Sequence, residues 1–213
     1  MRVIMLGTGA AAPDPDRGGS GILITVEDKH YLFDCGANVT RSMISANVNP
    51  AKVDHVFLSH LHYDHIVDFP YFLLTSWICD RENPPIVVGP EGTQEFIDHL
   101  FTEGAFAKDI EARVQYPRRQ GNTNVLTPDV RQCEEGVVFE DELVTVTACY
   151  VEHIPQEITP CFGLRLDSKI DGKSVSFSGD TAPCERFVEL SRDVDLMIHE
   201  CTFPESALEH RKK

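Results

Sequence analysis

The stretch His60-Leu61-His62-Tyr63-Asp64-His65 limits what this chain can fold into more than any other six residues in it. It packs three imidazoles and a carboxylate directly behind an apolar run, Val53-Asp54-His55-Val56-Phe57-Leu58-Ser59. A short β-rich run that ends in a polar cluster is the pattern of a buried strand delivering side chains to the rim of a sheet. Imidazole and carboxylate suit Zn²⁺ first, and iron or manganese as well. Side chains of an extended segment alternate with period two, so His60 and His62 point the same way. Asp64 and His65 follow as the chain turns, in position to face a second ion beside the first. Two cations held side by side lower the pKa of a water and clamp the oxygens of a displacement reaction. A surface or capping role for these residues is the weaker alternative, because one histidine is common and this spacing is not.

The rest of the chain bounds the setting of such a site. Its 213 residues, 42% of them hydrophobic, can bury one core, so a single domain over 1–213 is expected. No apolar run is long enough to span a bilayer, and the N-terminus lacks the basic-then-apolar pattern of a secretory leader. Seven cysteines (35, 79, 133, 149, 161, 184 and 201) are odd in number and contain no CxxC pair, which fits reduced thiols in a cytoplasm. Cys35, Cys149 and Cys201 lie in or beside apolar strands and read as small core residues. The net charge of −15 argues against a long nucleic acid or an anionic membrane as partner, since either calls for a basic stripe. Lys108 and Arg113 to Arg119 come nearest to one and read as a solvated edge.

Periodicity places strands at Arg2–Leu6, Ile22–Val26 and His30–Phe33, the last two joined through Glu27-Asp28-Lys29. Further strands are expected at Pro85–Val88, Val137–Phe139, Val144–Glu152, Cys161–Leu166, Ser174–Ser178 and Asp195–Glu200. Helices are expected at Val39–Ala46, Ile66–Ile78 (with Pro70 bending it), Gly92–Phe101, Glu185–Ser191 and Ser206–Lys213, while Asn49-Pro50 closes the unit before the metal strand. Residues 104–134 read as irregular and polar. Strands interleaved with helices in this way suggest two packed sheets covered by helices, an α/β αββα sandwich with its loops along one edge. Gly7-Thr8-Gly9-Ala10-Ala11-Ala12 satisfies a GxGxxA pattern. The segment that follows, Pro13-Asp14-Pro15-Asp16-Arg17-Gly18-Gly19, cannot start the helix that a dinucleotide site requires, so a tight turn near the metal edge is the better reading. His30, His55 and His99 lie in or beside periodic elements and read as structural.

These residues resemble the metallo-β-lactamase superfamily, whose signature His60, His62, Asp64 and His65 reproduce in full. The segments Met5-Leu6-Gly7-Thr8-Gly9, Phe33-Asp34-Cys35-Gly36, Ser178-Gly179-Asp180-Thr181 and His199-Glu200-Cys201-Thr202-Phe203 extend the likeness to about residue 205 and look like the ribonuclease Z branch. The resemblance implies a metallo-β-lactamase-like sandwich and one or two zinc ions. His153, at the end of a strand, is the candidate third ligand to the first ion beside His60 and His62. Asp180 follows a strand and Gly179, and its two oxygens make it the candidate bridge to a second ion held by Asp64 and His65. Relatives carry further histidines after the His-Glu-x-Thr segment, so the C-terminal closing unit is expected to be incomplete here, with a partner chain or a local residue as substitute. His199, at a strand end beside Glu200, is the nominee for protonating a leaving group; His210 reads as a solvated helix residue. This branch is often dimeric, which makes a homodimer an expectation.

The chemistry expected is hydrolysis by a metal-activated hydroxide that Asp64 ligates and orients. The resemblance implies a phosphodiester substrate. Transfer-RNA-processing relatives often carry an RNA-grasping insertion between the positions of His153 and Asp180, where this chain has 26 residues. A small or aryl phosphodiester is therefore favoured over RNA. A lactone, thioester or sulfate ester is the runner-up, and a metal-binding remnant without turnover is the contrasting class. Phe69, Tyr71, Phe72 and Trp77 read either as an apolar wall for such a substrate or as a core-facing helix.

Overall fold

The computed structural model describes residues 1–102 and 104–202. Among these residues the strands form two sheets. The first contains β1 (Arg2–Gly7), β2 (Gly21–Val26), β3 (Lys29–Phe33), β4 (His55–Phe57), β5 (Ile86–Gly89) and β6 (Asp129–Gln132), side by side in that order. The second contains β7 (Gly136–Glu140), β8 (Val144–Tyr150), β9 (Phe162–Ser168), β10 (Ser174–Phe177) and β11 (Leu196–Ile198), with β11 at one edge and β7 at the other. Pairing is antiparallel through β1, β2 and β3 and parallel from β3 to β6, so the site-bearing strand β4 sits between two parallel neighbours.

Period-two alternation explains the layering. Ile22, Ile24, Tyr31, Phe33 and Phe57 point from the first sheet into the inter-sheet core, where they meet Val146, Phe162, Leu164 and Phe177 of the second. Their neighbours Leu23, Leu32 and Val56 point the other way, into a core roofed by helices. A sheet apolar on both faces must be covered on both. The roof consists of α1 (Val39–Ser45), α3 (Phe69–Ile78) and α4 (Thr93–Phe101). On the far side α6 (Glu185–Leu190) sets Phe187 against Cys149 and Val151, which completes the αββα sandwich.

Several expectations are corrected. The helix expected over Ile66–Ile78 is two helices, α2 (Tyr63–Ile66) and α3, and Pro70 opens α3 in its first turn, where its missing N–H costs nothing. Asn49 and Pro50 begin a 3₁₀ turn, capped by the Asn49 side chain accepting from the Ala51 N–H at 3.0 Å. The segment expected to be irregular contains α5 (Ala107–Arg113) and the edge strand β6, whose partner β5 supplies the order that its polar side chains do not announce. Cys201 is exposed, whereas Cys35 and Cys149 are buried. Phe69, Phe72 and Trp77 are fully buried under the first sheet at the i, i+3, i+8 spacing of a core-facing helix, while Tyr71 is exposed, so they wall no cavity at the site. Arg119 is buried, its guanidinium donating to the Trp77 and Ile78 carbonyls and to Asp80, so that end of the basic stretch is a structural clamp. The helix expected at Ser206–Lys213, with His210, lies outside the described residues. No helix among the described residues is long and apolar enough to cross a membrane.

His55 is structural, as expected, and it carries a pH dependence. Its ring stacks on Tyr31 at 5.0 Å and lies 4.9 Å from Phe139, between the sheets, with Nδ1 buried and unpartnered. Burial, opposed by Asp141 and Asp54, pushes its pKa below the usual 6.5. A histidine whose folded pKa lies below its unfolded one stabilises the fold above the unfolded value, and that stability is lost as pH falls through the folded value. Thermal midpoints are therefore expected to drop on acidification below about pH 6.5, and His55→Phe should flatten that slope. An equal slope in the two proteins would show that His55 does not carry it.

Candidate metal centre

The rim between the two sheets assembles the predicted residues from four chain segments. His60 and His62 leave the end of β4 in extended conformation, and α2 turns Asp64 and His65 back beside them. His153 follows β8 across the sandwich, and Asp180 follows β10 after Gly179, whose φ of +58° lies in the left-handed region. A hydrogen bond from the Phe162 N–H to the Ser59 carbonyl, 2.9 Å, ties the two sheets together at this rim.

The ring nitrogens converge. His60 Nε2 and His153 Nε2 lie 3.1 and 3.0 Å from His62 Nδ1. That one nitrogen can satisfy only one of two such neighbours through a proton, whereas a cation among them takes the lone pair of each. Asp180 reaches both halves of the cluster, with Oδ1 at 3.2 Å from His65 Nε2 and Oδ2 at 3.7 Å from His153 Nε2. Asp64 Oδ2 lies 3.6 Å from His65 Nε2. The donor atoms of His60, His62, His153 and Asp180 lie within 4.8 Å of one another, as do those of Asp64, His65 and Asp180. The two sets share Asp180, and their donors fit a pair of divalent cations.

The electrostatics point the same way. Burial and the neighbouring His65 push the His60 pKa far down, leaving a neutral ring with a lone pair to give. Burial also opposes charge on His65, but Asp34 and Asp180 overcome it and raise its pKa to about 10. A site this rich in carboxylate holds positive charge, and a metal that binds there displaces the proton. Burial works against Asp180 too, yet its hydrogen bond to His65 and the imidazoles nearby hold it below the usual carboxylate range.

One functional residue was missed by sequence reasoning. Asp34 follows β3 with φ +58°, uncommon for a non-glycine residue, and is fully buried. It accepts from the Ser59 N–H at 2.8 Å and the Ser59 hydroxyl at 2.9 Å, and its Oδ2 lies 2.7 Å from His65 Nδ1. Ser59 Oγ is in turn 3.0 Å from His60 Nδ1. One carboxylate thereby orients a histidine of each donor set. An acid directly behind an apolar strand was the available signal. Asn tolerates the same backbone, so Asp34→Asn is expected to fold and to lose roughly 10- to 100-fold in metal affinity, measured by chelator competition. Unchanged affinity would reduce Asp34 to a structural role.

His199 stands apart from the donor sets. It is exposed, its Nδ1 lies 2.9 Å from the Glu200 carbonyl, and its ring meets Phe187 at 5.6 Å. It nevertheless lines the same cavity of about 430 Å³ as His62, His153 and Asp180. The apolar wall of that cavity comes from Met5, Ile22, Phe177 and Ile198, at the edge between the sheets. The glycine-rich segment after β1 forms another wall, as its reading as a tight turn near the metal edge anticipated.

Comparison with known proteins identifies the family and the fold. A family model described as "Anti-Pycsar protein Apyc1" matches residues 1–212. Ribonuclease Z of Mycobacterium bovis BCG is 33% identical over 205 residues, covering 93% of this chain and 69% of its own. The crystal structure of the short form of human tRNase Z superposes with a TM-score of 0.77 at 25% identity, over 100% of this chain and 82% of that one. The metallo-β-lactamase fold protein YhfI of Bacillus subtilis shares the fold, with a TM-score of 0.71 at 20% identity over 96% of this chain and 73% of that one. The chain thus belongs to the Anti-Pycsar protein Apyc1 family, within the ribonuclease Z-like part of the metallo-β-lactamase superfamily of metal-dependent hydrolases.

Proposed function

We propose that this protein is a zinc-dependent phosphodiesterase acting on a small phosphodiester. The observation that carries the proposal is the pair of donor sets sharing Asp180 at the wall of a cavity of about 430 Å³, a volume in the range of small-molecule sites. His60, His62 and His153 would hold one ion and Asp64 and His65 the other, with Asp180 between them. The chemistry such ions supply when bound is Lewis-acid stabilisation of phosphoryl oxygens and a water acidic enough to lose its proton near neutrality. Asp64 would help to hold the second ion and would accept a hydrogen bond from the attacking water. His199 in its imidazolium form would donate the Nε2 proton to the leaving oxygen, since Nδ1–H is engaged by the Glu200 carbonyl.

RNA cleavage is the second reading, favoured by the relatives named ribonuclease Z and tRNase Z. The net charge of −15 opposes it, as does the use of Arg119 within the protein's own fold. The test is hydrolysis of bis(p-nitrophenyl) phosphate by the zinc-reconstituted protein, beside cleavage of a tRNA carrying a 3′ extension. Turnover of the diester that disappears in Asp64→Ala, with the tRNA left intact, is expected. Full zinc occupancy without diester turnover, or a normal rate in Asp64→Ala, would overturn the proposal.

A further inference from the structure

We infer that the loop between β1 and β2 is an anion clamp in which Arg17 contacts the phosphoryl group of the substrate and Tyr63 latches the loop beside the metal centre; this rests on the phosphodiesterase reading. Among the described lysines and arginines, Arg17 is the one that lines the cavity, whose other charged walls include Asp64, Asp180 and Glu200. An anionic ester approaching three carboxylates needs a compensating cation besides the metals. Arg17 is exposed and makes no side-chain hydrogen bond or ion pair among the described residues. Arg81, Arg119 and Arg165, by contrast, are each engaged by several carbonyls or carboxylates. A guanidinium has five donors in a planar fork suited to phosphate, and one left unpaired at a cavity wall is poised for an external oxyanion.

The backbone beneath Arg17 is tied down by hydrogen bonds. The Gly9 N–H donates to the Gly18 carbonyl at 2.7 Å, and the Gly19 N–H to the Ala37 carbonyl at 2.8 Å. A Cβ on Gly7 would lie 1.9 Å from the Gly19 carbonyl oxygen, so the two limbs of the loop touch backbone to backbone. The Tyr63 hydroxyl, between the ligand candidates His62 and Asp64, donates to the Ala11 carbonyl at 2.6 Å. That bond joins the loop to the helix that carries Asp64 and His65. A site whose charged contact is held in advance loses less entropy on binding.

The experiment compares zinc-loaded wild type, Arg17→Gln, Arg17→Lys and Tyr63→Phe with bis(p-nitrophenyl) phosphate, after zinc content is shown to be equal. Loss of one charge-assisted contact is expected to raise KM roughly 10- to 100-fold in Arg17→Gln, with kcat changed far less. Arg17→Lys should recover part of that loss, and Tyr63→Phe should raise KM by a smaller factor. The salt dependence of KM should flatten in Arg17→Gln, a signature that a merely structural role would not produce. Equal KM and equal salt dependence in wild type and Arg17→Gln would overturn the inference. Calorimetric binding of the same diester gives a readout independent of turnover. Binding weakened in Arg17→Gln, with no hydrolysis by any of the proteins, would sink the phosphodiesterase reading and uphold the clamp.

Discussion

Asp180→Ala is expected to match Asp64→Ala in lost activity and to exceed it in lost metal. Asp180 belongs to both donor sets, its two oxygens facing His65 Nε2 at 3.2 Å and His153 Nε2 at 3.7 Å. Without it one set keeps three imidazoles and the other keeps only Asp64 and His65, too few donors for a second ion. Metal stabilisation of a developing oxyanion is worth several kcal/mol, so turnover should fall by roughly 10³-fold or more. Zinc content should fall with it, from two equivalents toward one. The contrast is Asp64→Ala, which leaves the first set whole and should still bind the first equivalent tightly. If Asp180→Ala retained two equivalents and a rate within tenfold of wild type, the shared carboxylate would not be the bridge.

How much of this site could be read before the fold was known follows from where its information sits. His60, His62, Asp64 and His65 are contiguous, and their spacing alone states that a strand end and a turn present four donors together. His153 and Asp180 are remote in sequence, and strand-end position with the family resemblance nominated them; their convergence depends on two sheets meeting at one rim. The role of Asp34 is not legible in the sequence, because its bonds to Ser59 and His65 exist only in the tertiary structure. Arg17 is equally illegible in the sequence, since its place at the cavity wall is set by the fold of the loop around it. The core strands were legible because alternation is local. The edge strand β6 was not, because Val130 is its single apolar residue and its order comes from pairing with β5. Phe69, Phe72 and Trp77 show the converse limit: a wall and a core-facing helix share the same apolar composition, and burial separates them.

Phe57→Ala is expected to carry one of the largest stability costs in the protein, and it separates folding from metal binding. Phe57 is 1% exposed on β4, with its ring 5.2 Å from Phe33 and 5.6 Å from Phe139, so it joins the two sheets just before the chain reaches Ser59 and His60. Removing a buried phenyl ring leaves a cavity that close neighbours cannot fill, at a cost of about 3–5 kcal/mol. For a chain of this size that corresponds to a fall in Tm of roughly 6–20 °C for the metal-free protein. Because metal binds only the folded donor sets, zinc at 100 times its Kd would return about 2.7 kcal/mol per site, to variant and wild type alike. The gap between their midpoints should therefore persist when both are saturated, if the rim keeps its geometry. A gap that widens with zinc would mean that the missing ring also displaces His60 and His62, and that the sheet interior sets the metal affinity. A gap below about 1 kcal/mol in either state would contradict the cavity argument, because it would require the inter-sheet core to close over a lost aromatic ring.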